Sequence, residues 1–105
     1  MKFSTMGAAI FGAFLLAGVS AQAQQSSTPL KIGMLSDFSS VYSDIGGQGN
    51  LEATKMAIEE FGGKMFGKNI EFVSADVLNK PDVAASIGRK WYDSEGVDMI
   101  IDMPT

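Results

Sequence analysis

The segment SDFSSVYSDIGGQGNLEA, residues 36–53, concentrates the side chains that could take part in chemistry. Ser39, Ser40 and Tyr42 supply hydroxyl groups, and several glycines follow them before a helix-like stretch. Hydroxyls and backbone amides can hold a carboxylate, and an aromatic ring can cover the apolar part of a small ligand. Three kinds of site are therefore open: a phosphate-cradling loop, a nucleophile site and the rim of a pocket for a small polar ligand.

Catalytic chemistry has few candidate residues in this chain. The sequence contains no histidine and no cysteine, so it lacks the usual base for a serine nucleophile and the commonest ligands of transition metals. Glu59 and Glu60 are adjacent in a helical stretch and therefore do not face one another. Asp37 can be explained by hydrogen bonds to loop amides. We expect no catalytic residue, no bound metal, no cofactor and hence no enzyme.

Nucleotide and phosphorelay sites match the sequence poorly. GQGNLE, which begins at Gly47, starts like the dinucleotide-binding fingerprint, and Asp76 ends the second predicted strand, as a ribose-binding acid would. However, Glu52 replaces the third glycine, and the glycines lie about ten residues beyond the first strand, whereas the fingerprint needs its tight turn directly after that strand. A phosphorelay receiver would need two acids after the first strand, where only Asp37 is found.

The spacing of apolar residues predicts alternating strands and helices after residue 29. They are a strand at 30–36, a helix from about 48 to 61, a turn at 64–69, a strand at 70–76, a helix at 81–94 and a strand at 97–102. Strands joined by helices are parallel, and their crossovers are right-handed. The predicted fold is therefore α/β, the βαβαβ half of a doubly wound parallel sheet.

Caps and apolar faces define the two predicted helices more closely. Asn50 is the predicted N-cap of the first helix, and Asn79 with Asp82 resembles a capping arrangement for the second. The predicted inner faces are Leu51, Thr54, Ile58 and Phe61 in the first helix, and Val83, Ala84, Ile87 and Trp91 in the second.

A ligand site is expected at the carboxyl ends of the strands, because open α/β sheets bind ligands outside those ends. The loops at 37–49 and 77–81 and the loop that starts at Met103 converge there. Helix N-termini face the same edge and favour an anion. Tyr42, in a polar loop rich in glycine, favours a pocket role, whereas Phe38 is equally consistent with ordinary packing.

Residues 1–23 have the pattern of a secretory signal peptide. Lys2 precedes an apolar run of 14 residues at 6–19, and Ala21 and Ala23 give the A-x-A spacing of a cleavage site. A membrane anchor is the alternative, but spanning a bilayer takes about 20 apolar residues. We predict cleavage after Ala23, with Ala21 as the second choice, followed by a polar linker at 24–29 and export of the mature protein.

The charge balance argues against nucleic acid as a partner. One of the 8 basic residues, Lys2, lies in the predicted leader, which leaves 7 basic against 12 acidic residues. Nucleic-acid binding needs clustered lysine and arginine. We therefore expect a small-molecule ligand and no nucleic acid.

Three ordered motifs give the sequence a family resemblance. They are IG-x-L-S-D in the first strand, G-x-G-x-x-x-A-x-x-x-A-I at the entry of the first helix, and A-D-x-x-N-K-P-D-x-A after the second strand. Together with the leader they resemble the type I periplasmic binding proteins, and most closely the branched-chain amino acid (leucine, isoleucine and valine) binding family of ABC transporters. The resemblance implies two α/β lobes joined by a hinge, a solute bound between them, and delivery of that solute to an inner-membrane permease.

The resemblance also implies which residues contact the solute. In the family, the loops after the first and third strands hold the ligand's carboxylate and amino group. Carried onto this sequence, they give Ser39, Ser40, Tyr42 and Thr105 as predicted contacts, within a monomer. Residues 30–105 would be an incomplete N-terminal part of the first lobe. The expected solute is a small carboxylate such as an amino acid or an aromatic acid; a sensor or receptor domain of the same fold is the alternative.

Overall fold

The computed structural model describes residues 28–103 of the chain. Its helices and strands follow the predicted order, with one additional short strand. They are β1 (Leu30–Ser36), a π-helical turn (Ser43–Gly47), α1 (Gln48–Glu60), β2 (Lys64–Met65), β3 (Lys68–Asp76), α2 (Pro81–Ser94) and β4 (Met99–Ile101). Within these residues no helix is long and apolar enough to cross a membrane.

The four strands form one sheet in the order β2-β3-β1-β4. β1 lies in the centre and pairs in parallel with β3 on one side and with β4 on the other. Because each parallel connection contains a helix, the predicted α/β class and the βαβαβ order are confirmed. The carboxyl ends of β1, β3 and β4 consequently lie at the same edge of the sheet.

The prediction of a simple turn at 64–69 was wrong, because this segment is a β-hairpin. β2 pairs antiparallel with β3, with Met65 opposite Lys68. Phe66 and Gly67 connect the strands and have φ of 53° and 74°, as a two-residue hairpin with positive φ at both positions requires. A two-residue strand is too short to produce an alternating pattern, which explains why the sequence did not reveal it.

The hydrophobic core lies mainly between the sheet and α2. Leu35, Val77, Ala84, Trp91 and Val97 form its buried cluster. The ring of Trp91 covers Gly33 so closely that a Cβ atom at Gly33 would lie 2.4 Å from the ring atom Cζ3. The absence of a side chain at Gly33 therefore leaves the space that the indole ring of Trp91 occupies. The predicted inner face of α2 is confirmed, since Ala84 and Trp91 are buried and Val83 and Ile87 are half-buried.

The opposite face of β1 lies beside α1 and is more open. Ile32 lines an apolar groove of about 240 Å³ together with Ile58 and Phe61 of the α1 segment. Of the predicted inner face of α1, Leu51 is buried, Ile58 is half-buried and Phe61 is 63% exposed. The prediction therefore holds for the start of the helix and fails at its end, where the groove stays open.

Both predicted helix caps were wrong. α1 starts at Gln48, directly after the π-helical turn, so Asn50 already lies within its first turn. α2 has Lys80 as its N-cap, without a side-chain hydrogen bond, and begins with Pro81. The continuous helical path from Ser43 onwards removes the need for a cap at Asn50 and frees its side chain for another contact.

Candidate functional site

The loop after β1 is organised around the carboxylate of Asp37, which is 1% exposed. Residues 37–42 are called the Asp37 loop below. The backbone N–H groups of Ser39, Ser40 and Tyr42 donate to this carboxylate over 3.3, 2.8 and 2.9 Å. The hydroxyl of Ser40 donates to its second oxygen. The expectation that Asp37 satisfies loop amides is confirmed.

Asp76 joins the same loop to the end of β3. Its carboxylate accepts hydrogen bonds from the backbone N–H of Phe38 at 3.1 Å and of Leu78 at 2.9 Å. The hydroxyl of Ser39 donates to its other oxygen. One side chain therefore holds together the loops that follow two neighbouring strands, and the shape of the Asp37 loop depends on residues nearly forty positions away.

These hydrogen bonds keep both carboxyl groups ionised. Burial raises the pKa of Asp37, but the hydrogen bonds from Ser40, Tyr42 and Ser39 outweigh it, and the net pKa lies below the ordinary value of 3.8. For Asp76, the hydrogen bond from Ser39 is the largest influence and lowers the pKa, against smaller opposing effects of burial and of the neighbouring Asp37 charge. An ionised carboxylate only accepts hydrogen bonds, so the two serine hydroxyls must be donors.

The lowered pKa values predict a loss of stability at acidic pH. A carboxyl group whose pKa is lower in the folded protein stabilises the fold fully above its unfolded pKa and loses this contribution as the pH falls through the folded value. We expect the free energy of unfolding to be nearly constant between pH 7 and about 5 and to fall below about pH 4. In Asp76→Asn the free energy of unfolding should fall less at acidic pH, because one of the two carboxyl groups with a lowered pKa is gone.

Urea unfolding at a series of pH values measures this effect. Asp93→Asn is the matched control, because Asp93 is an exposed aspartate on α2, and it should keep the full acid dependence. Parallel pH profiles for the wild type and Asp76→Asn would contradict the prediction.

A cavity of about 210 Å³ opens beside the Asp37 loop, at the carboxyl edge of the sheet. It is called the Tyr42 cavity. Its lining is Tyr42, Ile45, Gly46, Asn50 and Asp102. The side-chain amide of Asn50 donates to the Asp102 carboxylate over 3.3 Å, which connects the first turn of α1 to the end of β4. The cavity thus brings together the ends of β1 and β4.

A second cavity, of about 520 Å³, shares Asn50 and Asp102 with the first. It extends along α1 and is otherwise lined by Met34, Ala53, Thr54, Ala57 and Ile101. The shared asparagine–aspartate pair therefore stands between a small cavity at the sheet edge and a larger one beside the helix.

Of the predicted contact residues in the described part of the chain, Tyr42 lines the cavity, whereas Ser39 and Ser40 do not. Tyr42 lines it and is 49% exposed. Ser39 and Ser40 lie in the adjoining loop, with their hydroxyl protons directed to Asp76 and Asp37. Thr105 and the cleavage-site residue Ala23 lie outside the described residues.

Two residues with polar side chains line the cavity and were not among the predicted contacts. Asn50 was interpreted as a helix cap, and Asp102 was only the last residue of the predicted strand at 97–102. The position of Asp102 at the end of a strand was a usable signal, since Asp37 follows β1 directly and Asp76 is the last residue of β3. Among residues 28–103, no group of three acidic side chains is arranged to hold a metal ion.

Comparison with known proteins gives a consistent result. A family model described as periplasmic binding protein matches residues 29–105. A periplasmic binding protein from Burkholderia mallei is 53% identical, with a TM-score of 0.69 over 70% of this chain and 20% of its own. A branched-chain amino acid ABC transporter periplasmic ligand-binding protein from Burkholderia xenovorans is 49% identical, with a TM-score of 0.67 over 70% of this chain and 20% of its own.

More distant similarity extends to a solute-binding protein of an ABC transporter from Rhodopseudomonas palustris, solved in complex with benzoate. It is 29% identical, with a TM-score of 0.62 over 70% of this chain and 20% of its own. The chain thus spans about a fifth of the length of these solved proteins. No curated protein matches it.

Proposed function

Because the chain belongs to the periplasmic binding protein family, we propose that it forms part of the solute-binding component of an ABC importer. Such a component binds a solute without transforming it and presents it to an inner-membrane permease. The observation that carries this proposal is the Tyr42 cavity at the carboxyl edge of the sheet, where open α/β folds bind their ligands. The likeness to two Burkholderia binding proteins at about half identity supports it.

The proposed solute is a small carboxylate, either an amino acid or an aromatic acid. One similar protein is named for branched-chain amino acids, and another was solved with benzoate. Both kinds of solute combine a carboxylate with an apolar body. Tyr42 is proposed to cover that body, since its ring offers apolar area and its hydroxyl a hydrogen bond.

The remaining contacts are proposed from the loops at the same edge. The oxygens of Ser39 and Ser40 keep lone pairs that can accept hydrogen bonds from a solute, although their protons are engaged. Thr105 is proposed as a contact from the loop after β4. A second lobe would close over the solute from the opposite side, and residues 30–105 would form the first part of lobe one.

We further propose that the protein works as a monomer in the periplasm. Residues 1–23 would serve as its signal peptide, with cleavage after Ala23, and residues 24–29 as a linker before β1. Amino-terminal sequencing of the secreted protein would test the cleavage position.

Thermal unfolding of the full-length protein in the presence of candidate solutes tests the function. A solute at 100 times its Kd should stabilise the folded state by about 2.7 kcal/mol. Leucine, isoleucine, valine, benzoate and hydroxybenzoates form the first panel. No shift with any of these carboxylates, on protein refolded to remove carried-over ligand, would contradict the proposal.

Tyr42→Ala tests whether the Tyr42 cavity is where that solute binds. Loss of the ring from a covered apolar contact should weaken binding about 10- to 100-fold. Tyr92→Ala is the matched control, because Tyr92 is 55% exposed on α2, away from the cavity lining. Equal affinities of the two variants by isothermal titration would exclude Tyr42 as a contact.

A further inference from the structure

The Asp37 loop has few hydrogen-bond donors left for a ligand. The backbone N–H groups of Phe38, Ser39, Ser40 and Tyr42 all donate to Asp37 or Asp76. The hydroxyls of the two serines donate to the same two carboxylates. A solute carboxylate needs donors, so this loop is poorly equipped to bind one. What the serines can still offer a solute is oxygen lone pairs.

Asp102 adds a carboxylate to this acceptor-rich side of the site. It lines both the Tyr42 cavity and the larger cavity beside α1. Its one hydrogen bond to a side chain in the described chain comes from Asn50, and it is in no ion pair there. Neither cavity lining contains a lysine or an arginine. The charge of Asp102 is therefore left without a cationic partner at the wall of the cavity.

An independent observation comes from Ser36, at the end of β1. Its side chain is 0% exposed, and its hydroxyl has no hydrogen-bond partner in the described structure, which is uncommon for a buried polar atom. A Cβ atom at Gly46, in the cavity wall, would lie 3.8 Å from this hydroxyl and 3.5 Å from the Asn50 amide nitrogen. An unsatisfied polar atom thus lies behind Gly46, a residue of the cavity lining to which Asp102 also belongs.

We propose that Asp102, held by Asn50, is the residue that selects solutes carrying a hydrogen-bond donor, an ammonium or a hydroxyl group. This inference rests on the proposed solute-binding function and assigns an orientation within it. The donor end of the solute points to Asp102, and its carboxylate lies away from the Asp37 loop. An ammonium group benefits more than a hydroxyl, because it also pairs with the negative charge.

Matched solute pairs on the full-length protein test the inference. The first pair is leucine and 4-methylpentanoic acid, which differ in the ammonium group. The second is 3,4-dihydroxybenzoate and benzoate, which differ in hydroxyls. Isothermal titration should show that the wild type binds the donor-bearing member of at least one pair about tenfold more tightly or better.

Asp102→Asn should reduce that preference about tenfold, with a larger loss for the ammonium pair than for the hydroxyl pair. Asparagine suits this test because Asp102 has a φ of 53°, a conformation that asparagine tolerates. Asp93→Asn is the control and should keep the preference of the wild type. The affinity ratio within a pair cancels any general loss of folded protein.

The outcomes separate this inference from the proposed function. If solutes bind and Asp102→Asn retains the full preference, or if the wild type prefers the members without donors, the role of Asp102 is overturned while solute binding stands. If none of the four solutes binds to the wild type, the proposed function fails for both solute classes, and this inference fails with it.

Discussion

Replacing Trp91 with alanine is expected to lower the free energy of unfolding by about 3–5 kcal/mol, the range typical of a large aromatic residue removed from a core. Trp91 is 6% exposed and belongs to the buried cluster that joins α2 to the sheet. Its ring also fills the space over Gly33, so its loss leaves a cavity against a strand that cannot close it. Urea unfolding, analysed for the midpoint at constant m, measures the change.

Gly33→Ala provides the control for this packing argument. In the wild type the added methyl group would lie 2.4 and 2.6 Å from two ring atoms of Trp91, and overpacking of this kind typically costs about 1–3 kcal/mol. In the Trp91→Ala background the obstruction is gone, so the same substitution should cost much less. Additive effects of the two substitutions would show that the ring does not occupy this space in solution.

Gly47→Ala should disturb the candidate site more than any other single methyl group. Its Cβ would lie 2.6 Å from the carbonyl oxygen of Asp37 and 3.4 Å from Cα of Phe38. These are backbone atoms, so the Asp37 loop itself would have to move. We expect about 1–3 kcal/mol of destabilisation and a loss of solute affinity of about tenfold or more, since even one displaced hydrogen bond to a charged group has that effect.

Gly49→Ala is the matched control, two residues later in the same segment. A Cβ there meets nothing within 4 Å, and alanine in a helix is more stable than glycine by up to about 1 kcal/mol. This variant should be slightly stabilised and bind solute like the wild type. Unchanged solute affinity in Gly47→Ala, measured by titration beside this control, would show that the Asp37 loop does not shape the site.

The fold was largely predictable because its signals are local and repeated. The apolar run of β1 gave the bounds Leu30–Ser36, and the proline, apolar face and terminal glycine of α2 gave Pro81–Ser94; the structure has the same bounds. The β2–β3 hairpin was missed because two residues cannot show a period. The cap at Asn50 was wrong because a π-helical turn preceding α1 has no clear sequence pattern.

The candidate site was less predictable, because its chemistry depends on which strand ends become neighbours. The sequence shows that Ser39 and Ser40 carry hydroxyls, and it places Tyr42 in a loop at the correct edge. It does not show that Asp76, which lies 37 residues after Ser39, accepts a hydrogen bond from the Ser39 hydroxyl. The same is true of Asn50 and Asp102, which are 52 residues apart in sequence and hydrogen-bonded in the structure.

The hydrogen bonds that Asp37 and Asp76 accept from the Asp37 loop also affect the entropy cost of binding a solute. Four backbone amides are fixed before any solute arrives, so little conformational entropy remains to be lost at this rim on association. Differences in affinity between solutes should therefore arise from the contacts they make. They should not arise from different amounts of ordering of the Asp37 loop on binding. In this respect the rim acts as a preformed template.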